Sequence, residues 1–263
     1  MVKIIFFQAH PDDELKSGQI LHYLSKKSKN NHIVKVACIT KGEWGLPGVQ
    51  YDKFKGDLLA KIRTQELYNS YALLGIPPEN IEFFGHFDGF VKFNKKLVNQ
   101  VANYLKKEKP DIVFVSEPIY CWYYHGDHVN TGKAVFYCIY NHLIDCSPLL
   151  YFYGTLSPNF IFGFKKEDFE LFDQMRRCHK TQFWLTYKMH RTFKLSTRLA
   201  ARKLPGWKYA EKYRRVYFNE KNRGKNLPSL IVRIFSHFFS SLPFFLAQYP
   251  QEILDRLNKE GKI

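Results

Sequence analysis

The sequence predicts an α/β fold: a Rossmann-like, mostly parallel sheet with helices on both faces, followed by a mixed helical region rich in basic and aromatic residues. Two patterns predict it. Over the first 155 or so residues, short apolar runs alternate with helical segments. The runs are compact and apolar instead of strictly alternating, as in strands buried on both faces.

Taken in order, the strands are expected at 3–8, 33–40, 81–84, 111–116 and 149–153. The first lies in an apolar run, 2–9, that is short, carries Lys3 and leads straight into charge, so it reads as a strand and not as a secretory signal. A helix is expected over 96–107, because Leu97, Val101 and Leu105 form one stripe and lysines crowd its C-terminal end, where the helix dipole favours them. Pro110 stops it. After about residue 160 the pattern fades, with turn signals at Pro205-Gly206 and 222–228. The expected division is an α/β catalytic domain over 1–160 and a C-terminal extension over 161–263, packed on that domain or forming a specificity or membrane-surface element.

The chain has 263 residues and a formal net charge of +16, much of it local. From Lys188 to Lys225 thirteen Lys or Arg stand against Glu211 and Glu220. Such a stretch suits a solvated surface, an anionic membrane, a phosphorylated substrate or a nucleic acid. The five cysteines are odd in number and lack C-x-x-C spacing, which argues against a disulfide framework and for a reducing, cytoplasmic setting.

The segment Ala9-His10-Pro11-Asp12-Asp13-Glu14 follows the first expected strand directly. Residues just past the carboxyl end of such a strand open onto the ligand crevice. An imidazole and a carboxylate three apart on that turn can reach one zinc ion at about 2.0–2.2 Å. A second cluster, Tyr123-Tyr124-His125-Gly126-Asp127-His128, follows the strand at 111–116 and lands on the same edge of the sheet. Together the clusters supply His, Asp and His for a zinc site with an open position for water.

On these motifs the sequence is similar to the PIG-L/LmbE-like family of zinc-dependent N-acetylglucosaminyl deacetylases. The A-H-P-D-D-E motif stands intact at 9–14 and H-x-D-H at 125–128, followed by Gly132. Smaller matches are Thr40-Lys41-Gly42-Glu43, Arg63-Thr64-Gln65-Glu66 with Leu74-Gly75, Phe87-Asp88-Gly89 and Pro110-Asp111. The likeness spans roughly 1–160, with an echo at 209–213, and Gln19 stands where relatives commonly carry a glycine.

The resemblance implies one zinc per chain on His10, Asp13 and His128, a type of site that other divalent ions can also occupy. It implies Asp12 as general base, His125 oriented by Asp127 beside the scissile amide, and Tyr123 as a donor to the developing oxyanion. Arg63 is expected within a buried helix stripe, either paired with Glu66 or reaching the crevice to bind substrate. Asp88 is a further candidate for sugar hydroxyls, and Glu43, between Gly42 and Gly45, for a substrate wall.

The function expected is removal of the N-acetyl group from an N-acetylglucosamine-type amino sugar or its glycoconjugate, a glycolipid included. The alternatives are hydrolysis of another N-acyl amide, or a basic protein that binds nucleic acid through 188–225. An amphipathic helix is expected over 230–246, either packed on the domain or placing the enzyme at the periphery of an anionic membrane.

Overall fold

The computed structural model describes residues 1–27, 32–121, 124–218, 229–241 and 251–261. Seven strands among them form one sheet: β1 (Lys3–Gln8), β2 (Ile33–Thr40), β3 (Ile81–His86), β4 (Ile112–Ser116), β5 (Leu149–Tyr153), β6 (Phe160–Phe164) and β7 (Tyr209–Val216). The helices are α1 (Gly18–His22), α2 (Asp57–Leu74), α3 (Lys95–Glu108), α4 (Gly126–Tyr140), α5 (Phe169–Cys178), α6 (Phe183–Ala201), α7 (Leu230–Ser241) and α8 (Gln251–Lys259).

The strand order is β3-β2-β1-β4-β5-β7-β6. The first five strands run parallel, with Phe6 of β1 paired to Val36 on one side and Phe114 on the other. β7 runs antiparallel to both β5 and β6. Strand order reverses between β1 and β4, and at such a switch point the two outgoing loops part and leave a crevice.

Successive side chains of a strand point to opposite faces, and β1 divides the core accordingly. Ile4 and Phe6 join Leu67 and Tyr71 of α2 and Met175 of α5 on one face. Ile5 and Phe7 join Leu97 and Val101 of α3 and Val135 of α4 on the other. Asn94 starts α3 by accepting a bond from the Leu97 amide at 3.0 Å.

The five expected strands are present, β3 running on to His86. The boundary expected at 160 falls on the first residue of β6, so the sheet continues past it. β7 is buried although it carries Glu211, Lys212, Arg214 and Arg215. Two of these charges are satisfied inside: Glu211 accepts the amides of Gln19 (2.9 Å) and Ile20 (3.0 Å), and Arg214 forms a bidentate pair with Glu117 (2.7 and 2.6 Å). Of the segment 230–246, residues 230–241 are helical and 242–246 lie outside the described residues.

Burial pushes the Glu211 carboxyl up to about 7, against the amide and Tyr213 hydroxyl bonds that favour the anion. A carboxyl raised on folding contributes stability below its unfolded value near 4.5, and that contribution is lost as pH climbs through about 7. Glu211→Gln is therefore expected to gain on the wild type by roughly 3 kcal/mol between those limits. Urea unfolding of both proteins across this range checks it; parallel pH profiles would refute the assignment.

Candidate metal centre

The polypeptide leaves β1 at the switch point and turns sharply. Asp12 takes φ 111°, a left-handed conformation that costs a non-glycine residue about 1–3 kcal/mol. The turn swings Asp13 back, so that its Oδ2 accepts the amides of Ala9 (2.9 Å) and His10 (3.1 Å). Its Oδ1 is left facing His128 Nε2 at 2.9 Å and Lys16 Nζ at 2.7 Å.

The opposite wall is the start of α4. His125 caps the helix, its Nδ1 accepting from the Asp127 amide at 3.3 Å, and Asp127 and His128 occupy the first turn. Ser116, the last residue of β4, donates its hydroxyl to the His128 carbonyl at 2.6 Å and ties this turn to the sheet.

His10 Nδ1 and His128 Nε2 stand 3.1 Å apart, and with an Asp13 oxygen they form a buried donor set whose atoms lie within 4.8 Å of one another. His10 Nε2 faces Asp127 Oδ2 at 2.9 Å and Asp88 Oδ1 at 3.0 Å. Carboxylates there hold one ring proton on Nε2, so that in the neutral ring the Nδ1 lone pair faces His128 and Asp13. The surroundings favour positive charge. Burial alone would lower the His10 pKa, yet Asp88 and Asp127 raise it well above the ordinary value. Asp13 is held well below the carboxylate range despite burial, by His128 and Lys16.

The structure thus brings His10, Asp12, Asp13, Asp88, His125, Asp127 and His128 to one crevice; Tyr123 lies outside the described residues. The Asp127 carboxylate does not orient His125 as expected. It accepts from His10 and from the amides of Gly89 (2.6 Å) and Val91 (3.1 Å), because the first turn of α4 faces it toward the 87–91 loop. Asp88 likewise faces His10 and accepts the Trp44 amide at 3.3 Å. Burial, reinforced by the neighbouring His10, lowers the His125 imidazole pKa below its ordinary value.

Arg63 is buried and does not pair with Glu66. Its guanidinium donates to the carbonyls of Pro11 (2.6 Å) and Gly42 (2.9 Å) and to Asp12 Oδ2 (3.3 Å). This approach needs glycines, since a Cβ at Gly42 or Gly45 would lie 2.2 or 2.3 Å from Arg63. Burial, opposed by Arg63, raises the Asp12 pKa. Glu43 Oε1 accepts the Asp88 amide at 3.3 Å, while Oε2 is buried with no partner. Burial and the neighbouring Asp88 push Glu43 up to about 7.

The C-terminal third supports these loops, which sequence spacing did not reveal. Glu14 Oε2 accepts the Asp12 amide, and Oε1 accepts Ser70 (2.7 Å) and His179 Nε2 (2.5 Å). Glu66 accepts both the amide and the hydroxyl of Thr181, at 2.8 and 2.6 Å. Leu257 of α8 is buried against Trp44 and Phe87, on the loops that carry Glu43 and Asp88. His179 gave no ligand-type spacing; a His lying 165 residues from its partner leaves no local signal.

The family profile of PIG-L, GlcNAc-PI de-N-acetylase, matches residues 5–139, just over half of the chain. No curated protein matches the sequence. Among solved structures, N,N'-diacetylchitobiose deacetylase from Pyrococcus horikoshii is similar, with TM-score 0.70, 21% identity, and 92% of this chain and 87% of that chain covered. The 4-carboxy-2-hydroxymuconate hydratase GalB from Pseudomonas putida KT2440 gives 0.66 at 17% identity, covering 82% and 97%. The zinc-inhibited form of teicoplanin deacetylase Orf2 gives 0.59 at 14%, covering 82% and 100%. At these identities the likeness establishes the fold, which is shared by enzymes of different chemistry.

Removing His179 strips a buried carboxylate of its main partner, a type of loss that costs about 3–5 kcal/mol. His179→Ala is expected to destabilise the protein by that amount in urea unfolding. A loss below ~1 kcal/mol would mean that Glu14 does not depend on it.

Proposed function

The chain belongs to the PIG-L family of GlcNAc-PI de-N-acetylases, and on that premise we propose that it hydrolyses the N-acetyl group of an N-acetylglucosamine-type amino sugar or its glycoconjugate, releasing acetate. The observation that carries the reading is the convergence of His10 Nδ1, an Asp13 oxygen and His128 Nε2, with Asp88 and Asp127 holding the His10 ring from its far nitrogen, Nε2. Two imidazole nitrogens 3.1 Å apart beside a carboxylate oxygen are a donor set that fits a single small divalent cation. His10, Asp13 and His128 would hold it. When bound, zinc or a similar ion polarises a carbonyl and lowers the pKa of water toward neutrality. Teicoplanin deacetylase Orf2 has a zinc-inhibited form, which makes the identity of the metal a measurement in its own right.

The remaining steps fall to side chains. Asp12 adjoins the ligand set, and its raised pKa makes it a stronger base than an exposed aspartate. Arg63 holds its carboxylate in place at 3.3 Å. His125 accepts a backbone bond at Nδ1, so its proton sits on Nε2, where it can steady the negative charge that develops on the amide oxygen. Tyr123, two residues earlier, is proposed as a second donor. The departing amine takes the proton that Asp12 has collected from the attacking water, while His125, whose Nδ1 accepts a backbone bond, keeps its single proton on Nε2. Of the three expected substrate contacts, Glu43 has a free buried acceptor for a sugar hydroxyl. Arg63 and Asp88 are engaged within the protein and shape the wall. These residues all lie in 1–160, proposed as the catalytic unit, with 161–263 as its support.

Acetate release from a panel of N-acetylhexosamine derivatives and other N-acyl amides tests the reading, with metal content measured in parallel. His128→Ala is expected to lose most bound metal. Asp12→Asn should keep the metal and lose about 10²–10⁴ in turnover. Full activity of Asp12→Asn would remove it as base, and release from other amides alone would reassign the bond.

A further inference from the structure

Helix α6 has two unlike sides. One packs inward: Phe193 stacks on Phe172 with ring centroids 4.4 Å apart, His190 meets Asp173 at 3.2 Å, and Thr197, Ala200 and Ala201 are buried. The other, at steps of three and four residues, presents Tyr187, Arg191, Leu195, Arg198, Leu199 and Arg202 to solvent. Leu195 and Leu199 are 58% and 46% exposed, a large apolar area to leave in water among cations. The chain then turns at Gly206 and lays Trp207 flat on Gly163 of β6, where a Cβ would come within 2.6 Å of the indole. The ring is braced from below and still 45% exposed. Leu195, Leu199, Trp207, Arg198, Arg202 and Lys208 line a groove of about 380 Å³, and among the described residues no carboxylate lines it. From Gln174 through Ala210 the sequence contains no Asp or Glu.

We propose that this face of α6, with the Trp207 turn, docks the protein on an anionic phospholipid surface, the groove taking a lipid phosphate between Arg198, Arg202 and Lys208. Charge complementarity supplies the long-range attraction, while Leu195 and Leu199 enter the acyl boundary and Trp207 sits at headgroup level. A polynucleotide would use the cations but not the leucines. It would also need the aromatic residues farther along, and there Tyr209 and Tyr213 are buried and Arg214 is locked to Glu117. The docking face is joined to the crevice. α6 begins directly after the turn in which His179 and Thr181 are fastened to Glu14 and Glu66, so a docked α6 would fix how the crevice faces the membrane. The inference stands apart from the bond that the enzyme cleaves.

Co-sedimentation of the full chain with phosphatidylcholine vesicles, with and without phosphatidylserine, tests it at low and high salt. Binding is expected only with phosphatidylserine and is expected to fall as salt rises. Leu195→Ser with Leu199→Ser should weaken it about tenfold, as should Arg198→Gln with Arg202→Gln. These exposed substitutions should leave the unfolding midpoint and acetate release from a soluble substrate unchanged, which separates a docking defect from misfolding and from failure of the catalytic reading. Absence of binding to phosphatidylserine vesicles at low salt would overturn the proposal. So would binding indifferent to the leucine pair, or loss through Phe235→Ser in α7 while the α6 variants bind normally. Tighter binding to an oligonucleotide than to vesicles, undiminished in the leucine variant, would make the face a polyanion site instead.

Discussion

The crevice depends on the two carboxylates at His10 Nε2. Without Asp88 at 3.0 Å and Asp127 at 2.9 Å, the buried imidazole could carry its proton on either nitrogen, and the lone pair that faces His128 and Asp13 would not be fixed. The two carboxylates come from different elements: the 87–91 loop after β3 and the first turn of α4. Asp127 binds that loop again through the amides of Gly89 and Val91. One imidazole therefore joins the ends of β1, β3 and β4 at the crevice edge of the sheet. The strand order makes this possible, because the reversal between β1 and β4 holds the two loops apart and leaves the ring room to reach across.

Buried charge has to be answered by buried charge or by oriented amides, and this accounts for much of the C-terminal third. Glu14 and Glu66 lie under the crevice, and their partners His179 and Thr181 arrive from the turn before α6. Glu117 follows β4, and Arg214 of β7 reaches it, set between the rings of Tyr120 and Phe152 at 5.0 and 4.7 Å. Glu211, on the same strand, holds the amides that open α1. Each pair joins the 9–20 segment, the 117–121 loop or α2 to an element beyond residue 160.

This division explains which parts were legible in the sequence. The parallel strands were legible because each is a compact apolar run, and Lys3–Gln8, Ile33–Thr40 and Leu149–Tyr153 have the bounds expected of them. His10, Asp13 and His128 were legible because two short motifs hold them in fixed local spacing. β7 was not, because a run reading Tyr-Ala-Glu-Lys-Tyr-Arg-Arg-Val carries four charges and resembles a surface segment; only the distant partners of Glu211 and Arg214 allow it to be buried. The same holds for the partner of Arg63. A helical wheel shows that it lies on an inward face but not what it meets, and it meets backbone carbonyls, which have no sequence signature.

The position of Asp12 shows how these constraints combine. Its left-handed backbone is unfavourable for an aspartate, so it persists only where neighbours over-determine it. Glu14 holds the amide, and Arg63 holds both the Pro11 carbonyl and the Asp12 carboxylate. Arg63 can come so close because Gly42 and Gly45 leave space, and Glu14 stays put because Ser70 and His179 hold its other oxygen. The Asp12 carboxylate, the proposed base, is thus aimed by groups that need not touch a substrate. They come from α2, the loop after β2 and the turn before α6, so the C-terminal third contributes to the geometry of a motif at residues 9–14.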